Sequence, residues 1–122
     1  MIAAALQVIA AFNLVCSGTI RSGPVGLALP EPDGEPFSIT YRIDLDARRW
    51  CSDACDTVES LNAVAEGQIV LRDLHVPEGS SVITVFPAQG RFTDTLIQGD
   101  HATLRSGACR PEPFAGFPFS VA

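Results

Sequence analysis

The chain has 122 residues, enough for one domain with a single core and too few for two. Eight basic residues stand against fourteen acidic ones, and the isoelectric point is near 4.6. Binding of nucleic acid requires clustered positive charge, so this composition argues against a nucleic acid partner. All the basic residues are arginine, which excludes Schiff-base chemistry and phosphate binding by a P-loop lysine.

The first element in chain order is an apolar N-terminal segment. Residues 1–15 carry no charged side chain, and residues 1–11 form an apolar block that ends in two alanines. The block is too short to cross a bilayer, which takes about 20 apolar residues, so no transmembrane segment is predicted. It fits the apolar region of a secretory signal peptide, although no basic residue follows Met1. We therefore predict a signal peptide over residues 1–11 and a single β domain over residues 12–122; the alternative is a buried first strand or helix of a cytosolic protein.

The four cysteines favour export to the periplasm or secretion. An even number of cysteines in a short chain with a signal peptide is typical of a disulfide framework. Cys51 and Cys55 are so close in the sequence that a local bridge is the default, which leaves Cys16 to pair with Cys109. A Cys-x3-Cys spacing without a second matched pair is a poor zinc pattern, and it is not the Cys-x2-Cys of redox sites, so we predict neither a metal nor a cofactor.

The next elements are predicted as strands. Residues 37–45 alternate between apolar and polar side chains and give the clearest strand in the sequence. A turn over residues 46–48 follows, and Arg49, Trp50 and Cys51 return as a partner strand, so the second cysteine pair lies at a strand end. Residues 56–64 have a spacing compatible with a single helical turn. Further strands are expected at residues 62–65, 68–73, 81–86, 91–97 and 102–109, separated by turns that contain glycine.

This pattern predicts an all-β fold. Short strands at regular spacing without a sustained helical period indicate an antiparallel meander of about eight strands, a closed or partly closed small barrel. If residues 11–19 pair with residues 102–109, a bond between Cys16 and Cys109 fastens the first strand to the last and lets the sheet close.

Two segments are expected to be irregular. Residues 22–35 contain several prolines and are predicted as an exposed loop. Residues 110–118 are rich in proline and phenylalanine, and we expect the aromatic side chains of this tail to plug one end of the barrel or to cover a sheet edge. The residues we name as candidate contacts for a ligand or partner are Phe114, Phe117, Phe119, Trp50 and Arg49.

Catalysis has little support in the sequence. Asp73, His75 and either Ser80 or Ser81 contain the side chains of a catalytic triad, and His101 adds a second imidazole. No nucleophile elbow or other local signature accompanies them, and both histidines flank predicted turns, where solvated polar residues are the rule. We therefore name no catalytic residue.

Several motifs together carry a resemblance. Phe-Asn-Leu-Val-Cys-Ser-Gly-Thr covers residues 12–19, and Tyr-Arg-Ile-Asp-Leu-Asp at 41–46 is followed by Arg-Trp-Cys at 49–51. Ser-Gly-Ala-Cys then precedes Phe114 and Phe117. In this order the motifs resemble a group of uncharacterised small exported proteins of Gram-negative, high-GC bacteria. The resemblance implies the compartment and the cysteine framework, and it implies no activity.

Three functions from different classes follow from these observations. The first is a non-catalytic periplasmic or secreted protein with a binding or structural role, whose partner is a protein or a small apolar ligand. The second is a secreted inhibitor or a small-ligand-binding β-barrel. The third is a small hydrolase or metal-dependent enzyme that uses Asp73, His75 or His101. The missing catalytic signature favours the first.

Overall fold

The computed structural model describes residues 10–25 and 34–118, which form an all-β protein. Nine antiparallel strands make one sheet, and the described residues contain no α-helix. The predicted antiparallel meander is confirmed, with nine strands in these ranges against the eight or so expected. In chain order they are β1 Ala11–Pro24, β2 Glu35–Asp44, β3 Arg49–Ser52, β4 Glu59–Ser60, β5 Ala63–Ala65, β6 Gln68–Val76, β7 Gly79–Phe86, β8 Arg91–Gln98 and β9 His101–Pro113.

The order of the strands makes the meander a partly closed barrel. Neighbours in the sheet follow the sequence β4-β3-β2-β1-β9-β8-β7-β6-β5, so the first and last strands pair in its middle. Their ladder aligns Cys16 directly with Cys109, and the two cysteines form a disulfide. The predicted pairing of the first strand with the last is therefore confirmed.

A seam between β4 and β5 separates the two edges of the sheet. These short strands are consecutive in the chain, and only Leu61 and Asn62 connect them. The Leu61 N–H donates to the Arg48 carbonyl at 3.0 Å, and the Asn62 N–H donates to the Val70 carbonyl at 3.0 Å. The connection thus binds both edges of the sheet and bridges the seam at this end of the barrel.

Inward-facing side chains fill the middle of the barrel. On β2, Phe37, Ile39, Tyr41 and Ile43 point inward, as the alternation in the sequence predicts. The Trp50 ring of β3 meets the Tyr41 ring edge-on, with 6.1 Å between centroids. Tyr41 and Ile43 are fully buried, and Trp50 is 1% exposed. The middle of the barrel is therefore a packed core.

A pair of glycines lets β1 and β9 approach closely within this core. Gly18 lies opposite Gly107, and a Cβ atom on Gly18 would stand 1.9 Å from the Ser106 carbonyl oxygen. Phe37 is the neighbour of Gly18 on β2, and Phe92 is the neighbour of Gly107 on β8. Their ring centroids are 6.3 Å apart, so the two rings approach each other from either side of the glycine pair.

Two predicted boundaries and one predicted element are wrong. Residues 22–24, expected in a loop, continue β1, and residues 110–113, expected in an irregular tail, continue β9. Both extensions arise because the two strands pair along thirteen consecutive positions, from Phe12 with Pro113 to Pro24 with His101. Residues 56–64 form no helical turn; a bend, β4 and the first residues of β5 occupy them, since Leu61 is held in the core.

Two segments with sequence-based predictions lie outside the described residues. Residues 1–9, which carry most of the predicted signal peptide, are not among the described residues, nor are residues 26–33 of the predicted loop. Ala11 is already the first residue of β1 and pairs with Asp44. The predicted division of the chain after residue 11 stays a prediction.

Candidate functional site

A row of charged side chains crosses the inner face of the sheet next to the core. The register pairs Arg72 of β6 with Ile83, Ile83 with Asp94 of β8, and Asp94 with Arg105 of β9. Because cross-strand partners point to the same face, all of them face the barrel interior. The Asp94 side chain is 8% exposed, whereas the two arginine side chains are about one-third exposed. Solvent therefore reaches this row from one end of the barrel.

The buried carboxylate of Asp94 is balanced by one of these arginines. Arg105 Nη1 donates to Asp94 Oδ2 at 3.3 Å. Burial raises the pKa of Asp94 above its ordinary value, and the charge of Arg105 partly offsets this effect. The Arg105 guanidinium also lies over the Phe37 ring, 4.8 Å from its centroid. The ion pair thus packs against an aromatic ring of the core.

The raised pKa of Asp94 predicts a stability that depends on pH. An acid whose pKa is higher in the folded state than in the unfolded state binds more protons when folded. Its ionisation therefore destabilises the fold as pH rises above 3.8, the ordinary pKa of aspartate, until the carboxyl is also ionised in the folded protein. For Asp94→Asn, we expect the free energy of unfolding, taken relative to that of the wild type, to increase as pH rises across this interval. Urea unfolding of both proteins over a pH series measures this difference. Parallel curves of unfolding free energy against pH would contradict a raised pKa of Asp94 in the folded protein.

Arg72 forms the other end of the charged row and reaches across the seam. Its Nε donates to Glu59 Oε1 at 3.1 Å, its Nη2 contacts Glu59 Oε2, and its Nη1 donates to Ser81 Oγ at 3.3 Å. The guanidinium lies 5.3 Å from the centroid of the Trp50 ring. Arg72 therefore joins β6 to β4 by a bidentate ion pair, in addition to the backbone connection.

Three buried donors in this region have no hydrogen-bond partner among the described residues. They are the Tyr41 hydroxyl, the Trp50 indole N–H and, beside Asp94, Arg105 Nε. Burial raises the pKa of Tyr41 well above its usual range, and the charge of Asp94 adds to the effect. The phenol therefore stays protonated and remains a donor.

Beyond the charged row, the barrel ends in an apolar opening. Leu74 and Val76 of β6 follow Arg72 on the inner face, yet they are 52% and 46% exposed. Together with Leu96 and Ser81 they line a cavity of about 320 Å³, and we call these four residues the open-end surface. The turns after β6 and β8 border it, and they are tied by a bond from the Gly99 N–H to the Glu78 carbonyl at 2.8 Å.

A second cavity continues from the open-end surface along the seam. It has a volume of about 330 Å³ and shares Leu74 with the first cavity. The residues on its β6 side are Leu71, Arg72 and Asp73, and residues 59–62 line the opposite side. The two cavities thus meet at Leu74, and we call them together the groove; Arg72 and Glu59 line its part along the seam.

Two of the candidate contact residues named from the sequence have structural roles. Trp50 is 1% exposed and packs in the core of the partly closed barrel, against the Tyr41 ring. Arg49 is half-buried on β3, and its Nη1 donates to Ser60 Oγ of β4. Neither residue lines the groove described above.

The phenylalanines of the tail lie together beyond the end of β9. Phe114 and Phe117 meet edge-on with 5.3 Å between ring centroids, and both are half-buried. Phe119 lies outside the described residues. The structure brings the first two together, but it places them apart from the groove.

Hydrogen bonds fix the path of this tail across the outer face of the sheet. The Ala115 N–H donates to Asn13 Oδ1 at 3.1 Å, and Arg42 Nη1 donates to the Gly116 carbonyl at 2.7 Å. Asn13 and Arg42 are cross-strand partners that alternate with core residues, so they point outward. The expectation that the tail plugs an end or covers a sheet edge is therefore corrected for its described part: residues 115 and 116 bond to side chains on the outer face of β1 and β2.

The triad that was considered from the sequence, and for which no catalytic residue was named, does not assemble in the described residues. His75 Nε2 lies 2.7 Å from Asp73 Oδ1, and both side chains are solvent-exposed. Ser80 is opposite His75 on β7, but in the described structure no hydrogen bond joins its hydroxyl to the imidazole, and Ser81 points inward to Arg72. Within the described residues, no group of three histidine, cysteine or acidic side chains could hold a metal ion.

The charged row was missed in the sequence, although one signal was available. Asp94 lies two residues after Phe92 and two before Leu96, so it occupies an inward position of a predicted strand. A carboxylate at such a position requires a partner. Identifying Arg105 and Arg72 as its neighbours needs the register of three strands, which local pattern does not provide.

Comparison with known proteins adds no family. No family model, curated protein or solved structure matches the chain. The resemblance to small exported proteins of high-GC bacteria therefore stays a prediction. None of the described residues forms a helix long and apolar enough to cross a membrane.

Proposed function

We propose that this protein is an exported, non-catalytic binding protein whose contact site is the open-end surface. The observation that carries the proposal is the exposure of Leu74 and Val76 on the inner face of the sheet, where the core should continue. Large apolar side chains grouped around a cavity on a monomer are typical of interaction sites.

The packed core supports this proposal over ligand carriage inside the barrel. A carrier barrel needs a hollow interior, whereas here Trp50, Tyr41 and Phe92 fill the middle. A bound molecule would instead lie at the rim, with apolar parts on the open-end surface and acceptor groups toward Arg72 and Arg105. A small hydrolase is not favoured, because the solvated Asp73–His75 pair has no bonded nucleophile among the described residues.

Export is supported by the disulfides and by the apolar N-terminal sequence. All cysteines are paired, and Cys16–Cys109 joins the central strands of the sheet. Disulfides persist in oxidising compartments, and a barrel held by one at its centre is suited to the periplasm or the exterior of the cell.

An apolar fluorescent probe tests the binding proposal. We expect anilinonaphthalene sulfonate to bind the folded wild-type protein, and Leu74→Asp to weaken its binding about tenfold, because the carboxylate must be desolvated at the contact. Val64 is the matched control, since it is 48% exposed on β5 and lines neither cavity of the groove. Val64→Asp should leave the affinity unchanged. Equal losses in the two variants, with circular dichroism showing both folded, would refute the proposed site.

A further inference from the structure

Over its second half, the edge of β6 next to the seam has no partner strand among the described residues. β5 pairs with β6 only from Gln68 to Val70, while β6 continues to Val76. No backbone hydrogen bond from another described segment reaches this side of β6 beyond Val70. Natural sheets usually cover or blunt such an edge, because it presents unpaired N–H and C=O groups.

The register shows which backbone groups point out of this edge. β6 and β7 are joined by the two-residue turn Pro77-Glu78, and such a turn closes on a hydrogen-bonded pair, here Val76 with Gly79. Hydrogen-bonded and non-hydrogen-bonded pairs alternate along an antiparallel ladder. The N–H and C=O groups of Asp73 and His75 therefore point away from β7, toward the groove.

The groove along this edge has room and an alternating chemistry. The seam cavity of about 330 Å³ lies directly beside Arg72, Asp73 and Leu74. On the inner side of the strand, the exposed Leu74 and Val76 offer apolar contacts, and on the outer side the Asp73–His75 pair offers polar ones. A partner with the same alternation of apolar and polar groups, spaced as in an extended chain, would match both sides.

We propose that the free edge of β6 between Arg72 and Val76 binds an extended peptide segment of another protein by β-strand addition. This inference rests on the open-end surface as the contact site and names the class of partner. The incoming strand bonds to the outward backbone groups of Asp73 and His75, and its inward side chains cover Leu74 and Val76. Main-chain bonds supply affinity in this mode, and the side-chain pockets supply specificity.

His75→Pro removes one outward N–H and places a ring on the edge. Proline is tolerated where the N–H of an edge strand faces solvent, so the β6–β7 ladder survives. His75→Ala is the matched control, because it deletes the same side chain and its contact with Asp73 but keeps the N–H. The probe is a capped peptide of alternating threonine and valine, together with the same peptide N-methylated at alternate residues.

Amide hydrogen exchange measured by NMR gives the readout. With the unmethylated peptide we expect exchange at Asp73 and His75 to slow about tenfold in wild type, with the same protection at Asp73 and residue 75 in His75→Ala. We expect no protection at Asp73 in His75→Pro, and none with the methylated peptide. Equal protection by both peptides, or protection retained in His75→Pro, would overturn the inference.

Other outcomes separate this inference from the proposed function. If anilinonaphthalene sulfonate binds at Leu74 but the peptide protects neither amide in wild type, strand addition is refuted and the open-end surface stands. If the dye does not bind, the site itself is refuted. A dimer of this chain that forms through the same edge, is lost in His75→Pro and excludes the peptide would also overturn the assignment to another protein.

Discussion

Replacing Cys16 and Cys109 by alanine is expected to lower the free energy of unfolding by about 4–5 kcal/mol. The bridge spans 93 residues and joins β1 to β9 in the middle of the sheet, so it restricts nearly the whole unfolded chain. Domains of this size are stable by only about 5–15 kcal/mol, and the variant should therefore be close to unfolding at physiological temperature. Urea unfolding with detection by circular dichroism measures the change.

The second disulfide provides the control for this prediction. Cys51 and Cys55 are separated by 4 positions, and the same loop-entropy relation gives about 2 kcal/mol for their replacement by alanine. Equal losses in the two double variants would contradict the closing role of Cys16–Cys109. A thiol count on protein from the periplasmic fraction of a Gram-negative host tests the two disulfides: we expect no free thiol, and four free thiols would refute both bridges.

Trp50→Ala is expected to cost about 3–5 kcal/mol, the range for deleting a buried aromatic side chain. The ring is 1% exposed, contacts the Tyr41 ring, and lies under the guanidinium of Arg72. Its loss leaves a cavity, and the disulfide-bonded sheet cannot easily move inward to fill it. The substitution also removes the ring against which the Arg72 guanidinium packs. We therefore expect the Arg72–Glu59 ion pair across the seam to weaken as well.

Phe86→Ala is the matched control for this cavity. Phe86 is a half-buried aromatic residue at the end of β7, with Arg91 stacked 4.7 Å from its centroid. We expect a loss of about 1 kcal/mol, typical of a substitution outside the core. Circular dichroism must follow the unfolding, because Trp50 is the sole tryptophan of the chain. A smaller loss of unfolding free energy for Trp50→Ala than for Phe86→Ala would show that the buried Trp50 ring does not stabilise the barrel.

Much of the fold is accessible from local pattern. The alternation around Tyr41 predicts β2 with its inward face, and the turns that contain glycine place most later strands within a few residues. Local pattern does not show which distant strands pair. The cysteines supply this information, because a bond between Cys16 and Cys109 requires β1 to lie beside β9. The extensions of both strands were missed because prolines lie near their ends, and proline is compatible with strand termini as well as with loops.

The site was harder to predict because it depends on a register shift. β6 is irregular between Val70 and Arg72, so the phase of its alternation changes there. Ile69 faces the core before this bulge, whereas Arg72, Leu74 and Val76 face inward after it. Read without the shift, the alternation that begins at Ile69 would place Asp73 and His75 on the inner face. The bulge instead turns that pair to solvent.

An NMR titration of the folded protein with anilinonaphthalene sulfonate tests the central claim most directly, because it locates the contact site residue by residue. We predict that the methyl signals of Leu74, Val76 and Leu96 shift on addition of the dye, while those of Val64 stay in place. Shifts confined to the ring signals of Phe114 and Phe117 would contradict the open-end surface and assign binding to the tail.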